Sequence, residues 1–127
     1  MQTDALATVS WRSRPMSFVA LMALYESNYV RLGWLSGDPG ALRGEYVSRR
    51  AADCELRLAV RERARYTTTI ELTYPGIAMP ELSVRVYHDA RLAEAQGGES
   101  APERWARNML LNKWLEYCVE RGHRFPG

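Results

Sequence analysis

Six side chains that can bind phosphate recur at alternate positions in three consecutive segments of the chain. They are arginines, threonines and one tyrosine: Arg57, Arg61, Thr67, Thr69, Arg85 and Tyr87. Guanidinium forks and hydroxyl groups hydrogen bond to phosphate oxygens. If the segments are paired strands, these side chains share one face, and we predict that the face binds a phosphorylated small molecule or an acidic protein partner. The competing interpretation is a solvated face on which Glu55 and Glu71 pair with the arginines.

A histidine and its charged neighbours offer a different chemistry. His88, Asp89 and Glu94 could act as general acids or bases on a nucleotide or phosphoester, with Arg85 holding the phosphate. However, adjacent strand residues point to opposite faces, so His88 and Asp89 form a dyad only where a bulge intervenes. We keep a small enzyme as the alternative function. The competing interpretation is a structural histidine, hydrogen bonded near the end of the sheet.

Two asparagines lie within the apolar stripes of predicted helices. A buried amide must find partners or cost about 1 to 3 kcal/mol. We therefore predict that Asn28 and Asn108 bond to each other or to the sheet backbone and so fix how the helices sit. The functional alternative is that they line a pocket with His88, Glu26 and Glu94.

The motifs that define common enzyme classes do not occur in the sequence. It has no P-loop, G-x-G-x-x-G, H-E-x-x-H or G-x-S-x-G pattern. Its two cysteines, Cys54 and Cys118, fit no C-x-x-C or Cys/His metal spacing, and we predict that both are reduced core residues. No metal and no cofactor are expected. These absences favour a binding or regulatory module over an enzyme.

Strands are needed to position the phosphate-binding side chains, and the hydrophobic pattern predicts them. Apolar and polar residues alternate over residues 54–60, 66–74 and 82–89 with the two-residue period of half-buried strands. A fourth, weaker run covers residues 91–96, and a further short strand fits around residues 45–48. We predict that the first two runs form an antiparallel hairpin, with a charged turn over Arg61 to Arg65.

Two amphipathic helices flank the strands. The first is predicted to begin after the N-cap Ser17 and to end at Gly37, and the second to run from about Ala101 to Arg121. Ser100 and Glu103 have the spacing of a capping box for the second helix. The order predicts an α+β fold, an antiparallel sheet of about four strands with the N-terminal and C-terminal helices packed on one face.

Size and charge limit the function further. The 127 residues are 46% hydrophobic, and we assign residues 15–127 to one α+β domain and residues 1–14 to a mobile N-terminal arm. No apolar run approaches the roughly 18 residues of a membrane span, and no signal peptide is visible. We therefore expect a cytoplasmic protein with no membrane partner. The formal charge of only +2 disfavours nucleic acid as a ligand.

Two tryptophans on the predicted C-terminal helix point to a surface for a protein partner. Trp105 and Trp114 are nine residues apart, which places them on opposite sides of a helix. One of them must pack on the N-terminal arm or on another subunit. We therefore predict a homodimer or partner-binding surface on the C-terminal helix.

Four stretches of the sequence resemble a known family. They are L-Y-E-S-N-Y at residues 24–29, R-Y-T-T-T at 65–69, V-R-V-Y-H-D-A at 84–90 with Ala93-Glu94, and Asn108 with W-L-E-Y-C at 114–118. They resemble the YqiB-like bacterial family of unknown function (DUF1249), over most of residues 16–122. The V-R-x-Y-H-D-A string is the most specific part, because no general packing rule requires it. The chain departs from the family in its short connection at residues 96–101 and in Pro102-Glu103-Arg104 at the start of the last helix. The resemblance implies no established activity.

Overall fold

A computed structural model describes residues 17–50, 55–75 and 82–125. Within these ranges two long helices enclose a run of five strands: α1 (Phe18–Ser36), β1 (Glu45–Ser48), β2 (Leu56–Arg63), β3 (Thr67–Thr73), β4 (Leu82–Tyr87), β5 (Leu92–Ala95) and α2 (Ala101–Glu120). A 3-10 turn at Pro39–Ala41 follows α1. The predictions for the N-terminal arm and for Cys54 lie outside the described residues.

The strands form one antiparallel sheet in sequence order, from β1 at one edge to β5 at the other. This confirms the predicted α+β fold, and β1 brings the sheet to five strands where about four were expected. The predicted turn at Arg61 is wrong at its start, because β2 continues to Arg63. A bulge between Val60 and Glu62 absorbs one residue, so pairing with β3 resumes beyond it.

Both helices end where their capping residues predict. The Ser17 hydroxyl accepts a hydrogen bond from the Ala20 amide at 3.0 Å, and Gly37 ends α1 with φ of 70°, a conformation that favours glycine. In α2, Ser100 and Glu103 form the reciprocal hydrogen bonds of a capping box. The Glu103 pKa is lowered, mainly by the hydrogen bonds from the Ser100 and Glu99 amides.

The helices cover one face of the sheet, which we call the inner face. Its core is made of buried aliphatic side chains from β2 to β5 and from both helices, among them Leu58, Ile70, Val84, Leu32 and Leu115. Burying each such side chain stabilises the fold by about 1.5 to 3 kcal/mol. None of the helices in the described ranges is long and apolar enough to span a membrane.

The two tryptophans of α2 have different surroundings. Trp114 is only 4% exposed and packs against Tyr74, with the ring centroids 5.5 Å apart. Trp105 stays partly exposed, as expected for a residue on the opposite side of the helix. A homodimer through α2 stays a prediction.

The helices are fixed to the sheet at the edge strand β5. The Asn28 amide donates to the Ala93 carbonyl at 3.2 Å, and the Ala95 amide donates to Oδ1 of Asn108 at 2.8 Å. Asn28 also donates to Oδ1 of Asn108, and Asn112 donates to Oδ1 of Asn28 at 3.1 Å. These backbone groups of β5 face away from β4, where they could pair with a further strand. The asparagine side chains satisfy their hydrogen bonds instead.

Candidate functional site

The outer face of the sheet, turned away from both helices, carries the six predicted phosphate-binding side chains. Strand alternation puts them there: Arg57, Arg61, Thr67, Thr69, Arg85 and Tyr87. They fall into two groups. Arg57 and Arg61 lie on β2, with β1 on one side, whereas the other four lie on β3 and β4, towards β5.

The first group belongs to a cluster that we call the Arg–Glu patch: Arg49, Glu55, Arg57, Arg61 and Glu71. Glu55 accepts hydrogen bonds from the side chains of Arg49 and Arg57, and Glu71 accepts one from Nε of Arg61 at 2.8 Å. The hydrogen bond from Arg57 is the main reason that the Glu55 pKa is lowered. Arg57, Arg61 and Glu71 line a groove of about 350 Å³. The arginines on β2 therefore already have carboxylate partners.

The second group belongs to a cluster that we call the Tyr–Glu site: Tyr25, Thr67, Thr69, Arg85, Tyr87 and Glu94. At its centre, Oε1 of Glu94 accepts a hydrogen bond from the Tyr87 hydroxyl at 2.9 Å. Oε2 of the same carboxylate accepts one from the Tyr25 hydroxyl at 3.2 Å. Tyr25 comes from α1, so its ring reaches Glu94 around the β5 edge of the sheet. One carboxylate thus joins a helix to two strands.

Arg85 lies between hydroxyl groups and this carboxylate. The strand register pairs it with Thr69 on one side and with Glu94 on the other, and it pairs Thr67 with Tyr87. Directly paired residues on one face have their Cβ atoms about 4.5 to 5.5 Å apart. A single anion on this face can therefore reach a guanidinium and a threonine hydroxyl together.

Both tyrosines of the site are held as hydroxyl donors. Burial is the main reason that the pKa values of Tyr25 and Tyr87 are raised, and the Glu94 carboxylate raises both further. The positive charge of Arg104 partly opposes the shift at Tyr25, and Arg85, which hydrogen bonds to Tyr87, partly opposes it there. The hydroxyls consequently stay protonated at neutral pH.

A hollow of about 480 Å³, which we call the β5 hollow, opens at this carboxylate. Its walls come from α1, the end of β4, the β4–β5 connection, β5 and the start of α2: Leu21, Met22, Tyr25, Tyr87, Ala90, Leu92, Glu94 and Arg104. The volume is within the range of sites that hold small molecules. The lining combines apolar side chains with one carboxylate and one guanidinium group.

The predicted acid–base residues are not gathered on one face. Nε2 of His88 lies 2.8 Å from the hydroxyl of the buried Thr68, which belongs to the inner face. Glu94 and Arg85 lie on the outer face, and Asp89 is exposed in the turn after β4. The backbone explains the separation, because the His88 amide still bonds to the Tyr66 carbonyl and the alternation of β4 continues to His88.

The buried asparagines likewise stay away from the outer face. Asn28 and Asn108 bond to each other and to the β5 backbone, as described above, and Glu26 is exposed on α1. Sequence reasoning missed Asn112, which is buried on α2 and bonds to Asn28 and to Ser27. Its position four residues after Asn108, on the same face of the helix, was the available signal.

Two functional features were also missed by sequence reasoning. Tyr25 occurs in the L-Y-E-S-N-Y stretch and Arg104 at the start of the second helix, and the sequence assigns no site role to either. Both reach the β5 hollow, because α1 and the beginning of α2 meet at the β5 edge. Across the described ranges, no group of three or more His, Cys, Asp or Glu side chains is arranged to hold a metal ion.

Comparison with known proteins identifies relatives without an assigned activity. A family described as "Protein of unknown function (DUF1249)" matches residues 31–102. The uncharacterized protein YqiB of Escherichia coli strain K12 is 34% identical over 127 aligned positions, which cover 83% of this chain and 90% of YqiB. YqiB of Escherichia coli O157:H7 has the same identity and coverage. No solved structure matches the chain.

Proposed function

The chain belongs to the DUF1249 family of unknown function, and we propose that it is a cytoplasmic, non-enzymatic binding module that holds a phosphorylated small molecule at the Tyr–Glu site. The observation that carries the proposal is the coincidence of two features. Among the described residues Arg85 makes no ion pair with a carboxylate, and it lies close to a hollow of small-molecule size. The Arg–Glu patch also has a groove, of about 350 Å³, but the guanidinium groups of Arg57 and Arg61 that line it each contact a carboxylate.

Arg85 is the anchor for the phosphate group in this proposal. Arg85 lies beside the neutral hydroxyl of Tyr87, whereas Arg57 and Arg61 each contact a carboxylate. An incoming phosphate can hydrogen bond to Arg85 without breaking an ion pair. At Arg57 or Arg61 it would have to displace a glutamate first, and that exchange gives little net binding energy.

The β5 hollow holds the remainder of the ligand. Leu21, Met22 and Leu92 offer apolar surface, and Glu94 offers acceptor oxygens at a fixed position. Small-molecule sites typically combine such apolar walls with a few precisely placed polar groups. A ligand with a phosphate at one end and a compact body at the other fits this division.

The proposal is tested by isothermal titration calorimetry of the full chain with a panel of sugar phosphates and nucleotides. We expect Arg85→Ala to weaken the binding of a responding compound by at least tenfold, because a hydrogen bond to a charged group contributes about 1.5 to 3 kcal/mol. Arg57→Ala is the matched control on the same outer face. It should change the affinity by less than about twofold.

Two results would overturn the proposal. One is equal loss of affinity in Arg85→Ala and Arg57→Ala, which would mean diffuse charge attraction over the outer face. The other is the absence of heat with every phosphorylated compound at millimolar concentration. The search would then turn to protein partners, by pull-down with the same two variants.

A further inference from the structure

We infer that the ligand of the Tyr–Glu site carries a vicinal diol, as the ribose of a sugar phosphate or ribonucleotide does, and that Glu94 recognises this diol. The inference rests on the proposed function, because Arg85 has to hold the phosphate of the same molecule. It adds the chemical class of the portion of the ligand, other than its phosphate group, that enters the β5 hollow.

The hydrogen-bonding capacity of Glu94 points to donors on the ligand. An ionised carboxylate has two oxygens and about four acceptor positions. The hydroxyls of Tyr87 and Tyr25 occupy one position on each oxygen. The Gln96 amide lies at 3.5 Å from Oε1, at the limit of a hydrogen bond. The carboxylate therefore retains acceptor capacity, and it lines the hollow.

The orientation of the carboxylate is fixed before any ligand binds. Tyr25 holds Oε2 from α1, and Tyr87 holds Oε1 from β4, so each oxygen is restrained by a different element of the fold. A restrained pair of acceptors suits a ligand with two donors at a matching separation, because little side-chain freedom is lost on binding. Adjacent hydroxyl groups on a sugar ring are such a pair, and an acidic residue that accepts from ribose hydroxyls is a recurrent solution in nucleotide-binding folds.

The charges around the hollow disfavour a cationic ligand. Arg104 lines the hollow, and Arg85 lies beside Tyr87, so two guanidinium groups oppose the single carboxylate. A ligand that brought an ammonium group to Glu94 would meet both positive charges. In a sugar phosphate, the neutral hydroxyl groups can donate to the Glu94 carboxylate while the phosphate contacts the guanidinium groups. The carbons of the sugar ring can contact Leu21 and Leu92.

The test compares three five-carbon sugar phosphates by isothermal titration calorimetry with the full chain. Ribose 5-phosphate has adjacent hydroxyls at positions 2 and 3 on the same side of the ring, arabinose 5-phosphate has them on opposite sides, and 2-deoxyribose 5-phosphate lacks the first. We expect ribose 5-phosphate to bind about tenfold more tightly than 2-deoxyribose 5-phosphate, as the loss of one hydrogen bond to a charged acceptor implies. Arabinose 5-phosphate should bind more weakly than ribose 5-phosphate.

Variants of two glutamates separate recognition of the diol from general effects. Glu94→Gln keeps the shape of the side chain and one acceptor oxygen, and we expect it to bring the preference for ribose over 2-deoxyribose below about twofold. Glu71→Gln, in the Arg–Glu patch on the same face, is the matched control and should keep the preference. Urea denaturation of each variant checks that it is folded.

The outcomes distinguish failure of this inference from failure of the proposed function. If the three sugar phosphates bind the unmodified chain with equal affinity and Arg85→Ala weakens all of them, the diol inference is wrong and the phosphate site stands. If Glu94→Gln retains the full preference, Glu94 is not the group that recognises the diol, and the inference is also wrong. If none of the three binds, inorganic phosphate and nucleotides are titrated next. If a ribonucleotide and its 2′-deoxy counterpart bind with equal affinity, the diol inference is wrong. If neither inorganic phosphate nor any phosphorylated compound binds, both proposals are wrong.

Discussion

The Arg–Glu patch and the Tyr–Glu site lie on the same face of one sheet, yet their polar groups are organised in opposite ways. In the patch, Arg57 and Arg61 are exposed and contact Glu55 and Glu71. In the Tyr–Glu site the central group is a carboxylate, Glu94, which two tyrosine hydroxyls hold. The patch contains more arginines and has a groove of its own, but the site combines an arginine with a larger hollow and with a polar group of fixed orientation.

The comparison shows that the number of arginines is a poor guide to a phosphate site. Exposed ion pairs contribute about 0 to 1 kcal/mol and already neutralise the groups that would bind a ligand. A guanidinium beside neutral hydroxyls keeps its hydrogen-bonding capacity for an incoming anion. The helices matter as well, because Tyr25 and Arg104 reach the β5 hollow only where α1 and α2 meet β5.

The largest predicted effect concerns the asparagines that hold the helices against β5. Asn108→Ala leaves the Ala95 amide and one donor of Asn28 without their partner, so we expect the free energy of unfolding to fall by about 2 to 4 kcal/mol. Urea denaturation measures the loss. Lys113→Ala, at an exposed position of the same helix, should change it by less than about 0.5 kcal/mol. A similar small change in Asn108→Ala would show that the β5 edge does not hold the site.

The next effect tests whether Arg85 acts through its planar fork. Arg85→Lys keeps the positive charge but loses the bidentate geometry, and we expect about five- to tenfold weaker binding of a sugar phosphate. Arg61→Lys in the patch should leave the affinity within about twofold. Titration calorimetry at two salt concentrations provides the measurement. If both variants bind like the unmodified chain, the charge of the face rather than the geometry of Arg85 determines binding.

A smaller effect concerns the stability that Tyr25 contributes and how it changes at alkaline pH. The Tyr25 pKa in the folded chain is raised above the value of about 10 expected when unfolded. Below pH 10 the hydroxyl is protonated in both states and its stabilisation is complete. As the pH rises above 10, the unfolded chain releases the proton first, so stability falls.

Replacing this hydroxyl should therefore change the alkaline limb of the stability curve. Tyr25→Phe loses a hydrogen bond to a carboxylate that is long for its type, at 3.2 Å, and therefore contributes only about 1 kcal/mol at neutral pH. Its stability should fall less steeply above pH 10. Tyr66→Phe is the control, since Tyr66 is 55% exposed and lies directly before β3. Denaturation midpoints from pH 7 to 11 test this, and parallel curves for Tyr25→Phe and the unmodified chain would contradict it.

The smallest effect is expected at the ion pairs of the patch. A double-mutant cycle on Arg61 and Glu71 should give a coupling of less than about 0.5 kcal/mol, and 0.5 M NaCl should reduce it further, because the arginine side chain is 54% exposed. A coupling above about 1.5 kcal/mol would mean that the patch is as rigidly organised as the Tyr–Glu site. The contrast between the two regions would then be lost.

The sequence predicted most of the fold because short-range patterns determine it. Alternation identified the strands, and Ser17, Gly37 and the Ser100–Glu103 box fixed the helix ends. The bulge at Val60 was not predictable, since it depends on how β2 and β3 pair over their full length. The extra residue moved the turn and lengthened β2.

The site was predictable only in part. Strand alternation alone placed Arg85, Tyr87, Thr67 and Thr69 on one face. The contact between Tyr25 and Glu94 depends on the path of α1 past the β5 edge, which joins residues 69 positions apart in the chain. Nothing in the local spacing of Tyr25 distinguishes a core aromatic from one whose hydroxyl reaches a carboxylate.

The central claim is that a phosphorylated ligand binds at the Tyr–Glu site and not at the Arg–Glu patch. Its most direct test is a titration of ¹⁵N-labelled full-length chain with ribose 5-phosphate, followed by backbone amide NMR. We predict shifts concentrated at Thr69, Arg85, Tyr87 and Glu94, and small shifts at Arg57 and Glu71. Shifts concentrated at Arg57, Arg61 and Glu71, with β4 and β5 unaffected, would contradict the claim.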